Sequence, residues 1–233
     1  MTTADNSRPA ILLVPGAWHG AWCFDRLVPE LTALGWRVET VDLPSASADA
    51  ANTAGMYDDA RAVRERLDAL EGPVTVLAHS YAGIPVTQAA ADAANVSRIV
   101  YLSAFVLDEG ESIDGLSGGH FSGAGVNTLS ADEHHKDARS AFYADVAPQD
   151  ADEATSRLVL QTIKSFCEPV TAAAWKTVPS TYIVTEQDTA LVPEFQESMA
   201  ARAQRTHRLP SGHSSFLSMP VELAALITAD AGR

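Results

Sequence analysis

The stretch that most constrains this chain is Val74–Gly83, V-T-V-L-A-H-S-Y-A-G. Val74–Leu77 is a β-branched and aliphatic run that reads as a buried parallel strand. The chain then turns through Ala78–Gly83, and the Ala- and Gln-rich Val86–Ala94 reads as a helix. A strand, a sharp turn with serine at its apex and a helix match the nucleophile elbow, usually G-x-S-x-G, with Ala78 and Ala82 in place of the flanking glycines. Such a turn packs its strand against its helix, so the residues two before and two after the serine must be small. Alanine meets that demand. Ser80 is equally a candidate helix N-cap by residue type, so its partners elsewhere in the chain must decide its role.

The length, 233 residues, fits one α/β domain with a sizeable core. With 16 basic and 30 acidic residues the net charge is −14, which argues against nucleic acid and anionic membrane as partners. Cys23 and Cys167 lie far apart without metal-ligand spacing and read as free thiols in a reducing compartment. The opening M-T-T-A-D-N-S-R-P-A has no basic start followed by an apolar run. It therefore reads as leaderless, and the protein as cytoplasmic. No apolar run reaches membrane-spanning length.

Strand patterns alternate with helical ones. Ile11–Val14 reads as a strand, Trp22–Leu34 as a helix closed by Gly35, and Trp36–Val41 as a second strand. A polar loop, Ser45–Gly55, precedes an amphipathic helix over Met56–Leu70, with Ala60, Val63, Leu67 and Leu70 on one face. After the elbow come strands at Arg98–Ser103, Thr181–Val184 and Thr206–Leu209, and a last helix at Val221–Ala229. This rhythm predicts a parallel sheet of about six strands with helices on both faces. One segment breaks it. Glu109–Val178 carries Gly-rich loops and helical patterns at Ala131–Tyr143 and Asp150–Ile163. It is expected to form a helical cap over the C-terminal sheet edge, where ligands bind in open α/β folds. The single domain over 1–233 then divides into a core, 8–108 and 179–233, and a cap, 109–178.

A serine at an elbow needs a histidine to take its proton, and a carboxylate to fix the imidazole tautomer and stabilise its charge. In the order serine, acid, histidine, Asp188 follows the fifth strand and His213 the sixth, so both fall at the same sheet edge as Ser80. Asp108, past the fourth strand, and Glu186 are rivals for the acid role. His79, beside the nucleophile, is expected to point away from the reacting face. Taken singly, Asp188 is an ordinary turn residue and His213 an ordinary surface residue. Their order and their places past strand ends make them a set.

With these residues the chain resembles the α/β-hydrolase superfamily, and within it the small branch of methyl-ester carboxylesterases and hydroxynitrile lyases. The marks are L-V-P-G-A-W-H-G-A-W at Leu13–Trp22, A-H-S-Y-A-G at Ala78–Gly83, Y-L-S-A-F-V at Tyr101–Val106, Y-I-V-T-E-Q-D-T-A-L at Tyr182–Leu191 and P-S-G-H-S at Pro210–Ser214. The resemblance implies an oxyanion hole from the backbone N–H groups of Ala17 and Tyr81. Pro15 departs from the histidine usual at that point, and Pro85 sits early in the elbow helix. Lyases of the branch carry a threonine in the first turn and a lysine after the histidine; Gly16 and Ser214 stand there instead. The reading is a carboxylesterase-like serine hydrolase for a small, largely apolar, uncharged ester or thioester. A biosynthetic tailoring enzyme on the same site and a non-catalytic ligand-binding protein remain as alternatives.

Trp18, Phe105 and Phe216 near the catalytic turns, and Phe121, Phe142, Tyr143 and Trp175 in or beside the cap, are candidates for the substrate pocket. His120, His134 and His135 lack metal-ligand spacing, so no metal is expected. No Gly-rich dinucleotide fingerprint follows the first strand, so no cofactor is expected. The expected partner is a small-molecule ester, and a homodimer is compatible with the sequence.

Overall fold

The computed structural model describes residues 9–231; the leaderless reading rests on residues 1–10, of which 1–8 lie outside the described residues. The strands are β1 (Ala10–Val14), β2 (Arg37–Thr40), β3 (Ala46–Ser47), β4 (Val74–His79), β5 (Val96–Leu102), β6 (Thr128–Leu129), β7 (Leu160–Thr162), β8 (Ser180–Thr185) and β9 (Arg205–Leu209). A six-stranded sheet runs β2-β1-β4-β5-β8-β9, and every neighbouring pair in it is parallel. β1, β4 and β8 are buried at every residue. That is why β1 reads as a continuous apolar run and why β4 and β8 lack an exposed polar face.

The helices of the core are α1 (Leu27–Ala33), α2 (Met56–Asp68) and α3 (Gly83–Ala90). After β5 come α4 (Ile113–Leu116), α5 (Ala131–His135), α6 (Ala138–Tyr143), α7 (Pro148–Ser156) and α8 (Ile163–Cys167), then α9 (Pro193–Ala200), α10 (Ser215–Ser218) and α11 (Pro220–Ala231). From β1 to β2 the chain steps one way along the sheet; from β2 onward it steps the other way. Right-handed crossovers therefore put α1 on one face and α2, α3 and α9 on the other. α1 packs against α11, and α2 against α3. On α2 the buried residues are Met56, Ala60, Val63 and Leu67, at the expected helical spacing, and also Asp59. No helix among the described residues is long and apolar enough to cross a membrane.

Four local expectations are corrected. The Trp22–Leu34 helix is a 3₁₀ turn at Ala21–Phe24 followed by α1. Pro29 sits in α1's first turn, where an N–H has no intrahelical acceptor to lose. The same argument removes any cost from Pro85, third residue of α3. The Ala131–Tyr143 helix is two helices, broken at Lys136 with φ 65°. Asp137 restarts the helix by accepting from the Ser140 N–H. The Asp150–Ile163 helix stops at Ser156, and Leu160–Thr162 is a strand. That strand, β7, pairs antiparallel with β6 on one side and on the other with β3, inside the loop read as purely polar. The segment inserted after β5 is thus tied by backbone hydrogen bonds to the loop that follows β2.

Candidate active site

Because the sheet is parallel, the turns after β1, β4, β8 and β9 open at one edge. Ser80 follows β4 directly with φ 55°, in the left-handed region that side chains other than glycine rarely adopt. Tight packing holds it there. The Ser80 carbonyl accepts from the Phe105 N–H at 3.1 Å. A Cβ on Gly83 would come 2.0 Å from the Phe105 carbonyl oxygen, and one on Gly16 2.9 Å from the Ser80 Cβ. The first turn and the elbow therefore approach so closely that only glycine fits at Gly16; a threonine there would force the two apart.

Asp188 and His213 are both buried at 3% exposure. His213 Nδ1 lies 2.7 Å from Asp188 Oδ2. The carboxylate can only accept, so Nδ1 carries the proton and Nε2 is left with its lone pair. Asp188 is itself held: Oδ1 accepts from the Ala190 and Leu191 N–H groups at 2.8 and 2.9 Å, and Oδ2 from Thr185 Oγ1 at 2.9 Å and Gln196 Nε2 at 3.0 Å. Burial pushes its pKa up, but the neighbouring His213, Leu191 and Thr185 outweigh it and hold the carboxyl below its usual range. Neither of the other two candidates lies against His213. Glu186 is exposed, and Asp108 forms an ion pair with Lys176 that holds its pKa down.

The serine and the histidine meet at one cavity, with about 430 Å³ of atom-free space when the open solvent at its mouth is included. Its wall comprises Ala17, Trp18, Tyr81, Phe105, Ile113, Phe121, His134, His135, Phe142, Phe166, Ala190 and Leu191. The wall holds no Lys, Arg, Asp or Glu. The Ser80 hydroxyl makes no hydrogen bond with another described residue. Of the aromatics expected in the pocket, Trp18, Phe105, Phe121 and Phe142 are there.

Three are placed elsewhere. The Tyr143 hydroxyl is spent on His19 Nε2 at 2.7 Å. Trp175 donates from Nε1 to the Leu107 carbonyl at 2.9 Å, under Arg202 and Lys176. Phe216 packs edge-on against Phe24 and His79. Tyr143 and Phe216 are buried and Trp175 half-buried, and aromatic type alone does not select the cavity. The wall residues not anticipated were Ile113, Phe166, Ala190, Leu191 and the pair His134 and His135. For the histidines the signal was their place in the segment after β5. His134 stacks on Trp18 with ring centroids 5.5 Å apart. Burial pushes His135 down to about 4, with the charges of His134 and His213 adding to it against Asp188.

Two further histidines back the site. His79 lies outside the cavity wall, as expected, and donates from Nε2 to the His213 carbonyl at 3.1 Å. Burial and the charges of His213 and His19 push its pKa well down. His19 Nδ1 is 2.7 Å from the Ala17 carbonyl, so Nδ1 carries the proton and Nε2 accepts from Tyr143. Burial lowers its pKa to about 4.

Comparison with known proteins bears on the family and the fold. An alpha/beta hydrolase family model matches residues 11–226. A probable hydrolase, R7, from Phoma sp. is 31% identical over 243 residues, spanning 97% of this chain and 99% of that protein. Among solved structures, a methylesterase from Arabidopsis superposes with TM-score 0.80 at 24% identity, over 96% of this chain and 98% of that one. A pyrethroid hydrolase from Sphingobium faniae gives 0.79 at 23% identity, over 97% of both chains. With the family model spanning nearly the whole chain and a full-length relative named as a hydrolase beside it, this protein belongs to the alpha/beta hydrolase family.

Proposed function

We propose that the protein hydrolyses small, uncharged, largely apolar carboxylic esters through an acyl-enzyme on Ser80. The observation that carries the reading is the buried 2.7 Å contact between His213 Nδ1 and Asp188 Oδ2, at a cavity shared with a serine held at φ 55°. In this reading His213 Nε2 takes the Ser80 proton as Oγ attacks the ester carbonyl. The oxyanion that forms accepts from the Ala17 and Tyr81 N–H groups, a pair of donors worth several kcal/mol in other hydrolases, roughly 3 each. Collapse breaks the C–O bond, and His213 returns the proton to the leaving alcohol. Water, deprotonated by the same imidazole, then releases the acid and regenerates Ser80.

The substrate class rests on the wall. A cavity without Lys, Arg, Asp or Glu offers nothing to pair with a charged substituent, and its aromatics suit an apolar one. The names of the relatives, a methylesterase and a pyrethroid hydrolase, point the same way. The partner is then a small ester, with nucleic acid and anionic membrane opposed by the charge of −14. The unpaired Cys23 and Cys167 fit a cytoplasmic location.

The test is a panel of p-nitrophenyl esters of increasing chain length, with acidic and cationic analogues, given to the wild type and to Ser80→Ala. Turnover of the neutral esters that vanishes in Ser80→Ala supports the reading. Turnover that survives the substitution, or a preference for charged esters, overturns it.

A further inference from the structure

The two turns that carry Ala17 and Tyr81 come from different strands, yet one buried set of polar side chains joins them. Trp18, directly after Ala17, has φ 64°, and its N–H donates to Gln161 Oε1 at 3.1 Å. Gln161 Nε2 donates to Ser45 Oγ at 2.7 Å and to Ser165 Oγ at 2.8 Å. The Ser45 hydroxyl donates to Asp59 Oδ2 at 2.5 Å, and the Ser45 N–H to Asp59 Oδ1 at 2.8 Å. The Tyr81 hydroxyl donates to the same Asp59 Oδ2 at 2.6 Å. Ser45, Asp59 and Gln161 are each fully buried. Trp18 is gripped twice more from the segment after β5: its carbonyl accepts from the Val159 N–H at 3.0 Å, and its Nε1 donates to the Leu129 carbonyl at 3.0 Å.

A buried carboxylate is costly to keep without a cation, and among the described residues Asp59 is held instead by three donors, the Ser45 N–H, the Ser45 hydroxyl and the Tyr81 hydroxyl. Asp59 thus fixes the far end of Tyr81 to the loop that carries Ser45. What Gln161 does is hold the left-handed backbone at Trp18, through a side chain that reaches both Trp18 and Ser45. We propose that Asp59 and Gln161 are positioning residues for the hydrolytic reaction, setting the spacing of the Ala17 and Tyr81 N–H donors by tying both turns to one buried network. The inference rests on the oxyanion role given to those two N–H groups above. Oxyanion donors act only when aimed at the position the oxyanion will occupy, so loosening the link weakens transition-state binding and leaves substrate binding nearly unchanged.

The experiment uses Asp59→Asn, Gln161→Leu, their double variant and Tyr81→Phe, which keeps the backbone donor and the ring but removes the hydroxyl. A fluorophosphonate titration counts competent sites in each preparation. Per titrated site, kcat on a neutral p-nitrophenyl ester is expected to fall ~10- to 100-fold, less than the loss on deleting a donor outright, with KM changed by less than about threefold. Inhibition by a trifluoromethyl ketone, whose adduct carries an oxyanion, is expected to weaken in parallel with kcat. The double variant is expected to lose about as much as the worse single one, because both cut the same link. Unchanged kcat and ketone affinity per titrated site in all four variants would overturn the proposal and leave the two residues as packing. Failure of the wild type to be titrated at all would instead overturn the hydrolase reading beneath it.

Discussion

His213 and Asp188 are 2.7 Å apart through Nδ1 and Oδ2, and the same Oδ2 also accepts from Thr185 and Gln196. The carboxylate is therefore held by its own partners, and in the proposed triad it orients the imidazole. An amide in its place would present a donor where the histidine needs an acceptor and select the wrong tautomer. Asp188→Asn is expected to lower kcat by orders of magnitude, roughly 10⁴-fold by the precedent of another triad. Asp108→Asn, which weakens a pair with Lys176 and a bond from the Glu109 N–H away from His213, should stay near wild type. Steady-state kinetics of the two variants checks the ranking.

The close approach of Gly16 to Ser80 makes the first turn intolerant of a side chain. Gly16→Thr would put a Cβ 2.9 Å from the Ser80 Cβ and 3.0 Å from His79 Nδ1. Overpacking of this kind costs about 1–3 kcal/mol and separates the two turns. A lower denaturation midpoint, together with a loss in kcat beyond what the unfolded fraction explains, is the expected result.

The cavity wall divides the aromatics into two groups. Phe121→Ala and Phe142→Ala should change the ratio of kcat/KM for long and short esters, since both rings line the cavity. Trp175→Ala should leave that ratio alone and lower stability, because its indole anchors to the Leu107 carbonyl away from the wall. Ester panels on the three variants, with melting curves, separate the two behaviours.

Stability should fall on acidification below neutrality. His19 and His135 sit near 4 in the folded protein, and His79 well below its ordinary value, all chiefly through burial. Their unfolded counterparts titrate near 6.5. Between about pH 6.5 and 4 the unfolded chain binds more protons at these sites, so the stability present above 6.5 is lost as pH falls. Asp59, raised to about 6 mainly by burial, opposes this, since its proton favours the folded state over much of that range. The melting temperature is expected to drop from pH 7 to pH 4.5, and less steeply in His135→Phe.

The core of this molecule was legible because its signals are local. β1 and the first four residues of β4 are β-branched and aliphatic runs, Ala78 and Ala82 flank an apex serine, and the order Ser80, Asp188, His213 follows the strand ends. The segment after β5 was less legible because its structure is set at long range. Leu160–Thr162 is a strand through its pairing with Ala46–Ser47 and Thr128–Leu129, which no window of helical periodicity contains. Tyr143, Trp175 and Phe216 were expected in the substrate pocket, but hydrogen bonds and packing on the side away from the cavity decide where they point. Asp59 and Gln161 carry no sequence signal, since each gains its role only from residues far along the chain.

The central claim is that Ser80 is the nucleophile, and the most direct measurement is peptide mapping by mass spectrometry after treatment with a fluorophosphonate. Displacement of fluoride by Oγ leaves a stable phosphonate on the attacking oxygen. The account predicts one adduct per chain, on the peptide carrying Ser80, absent in Ser80→Ala and strongly slowed in His213→Ala. An unmodified wild-type chain, or an adduct that persists at another residue when Ser80 is replaced, would contradict it.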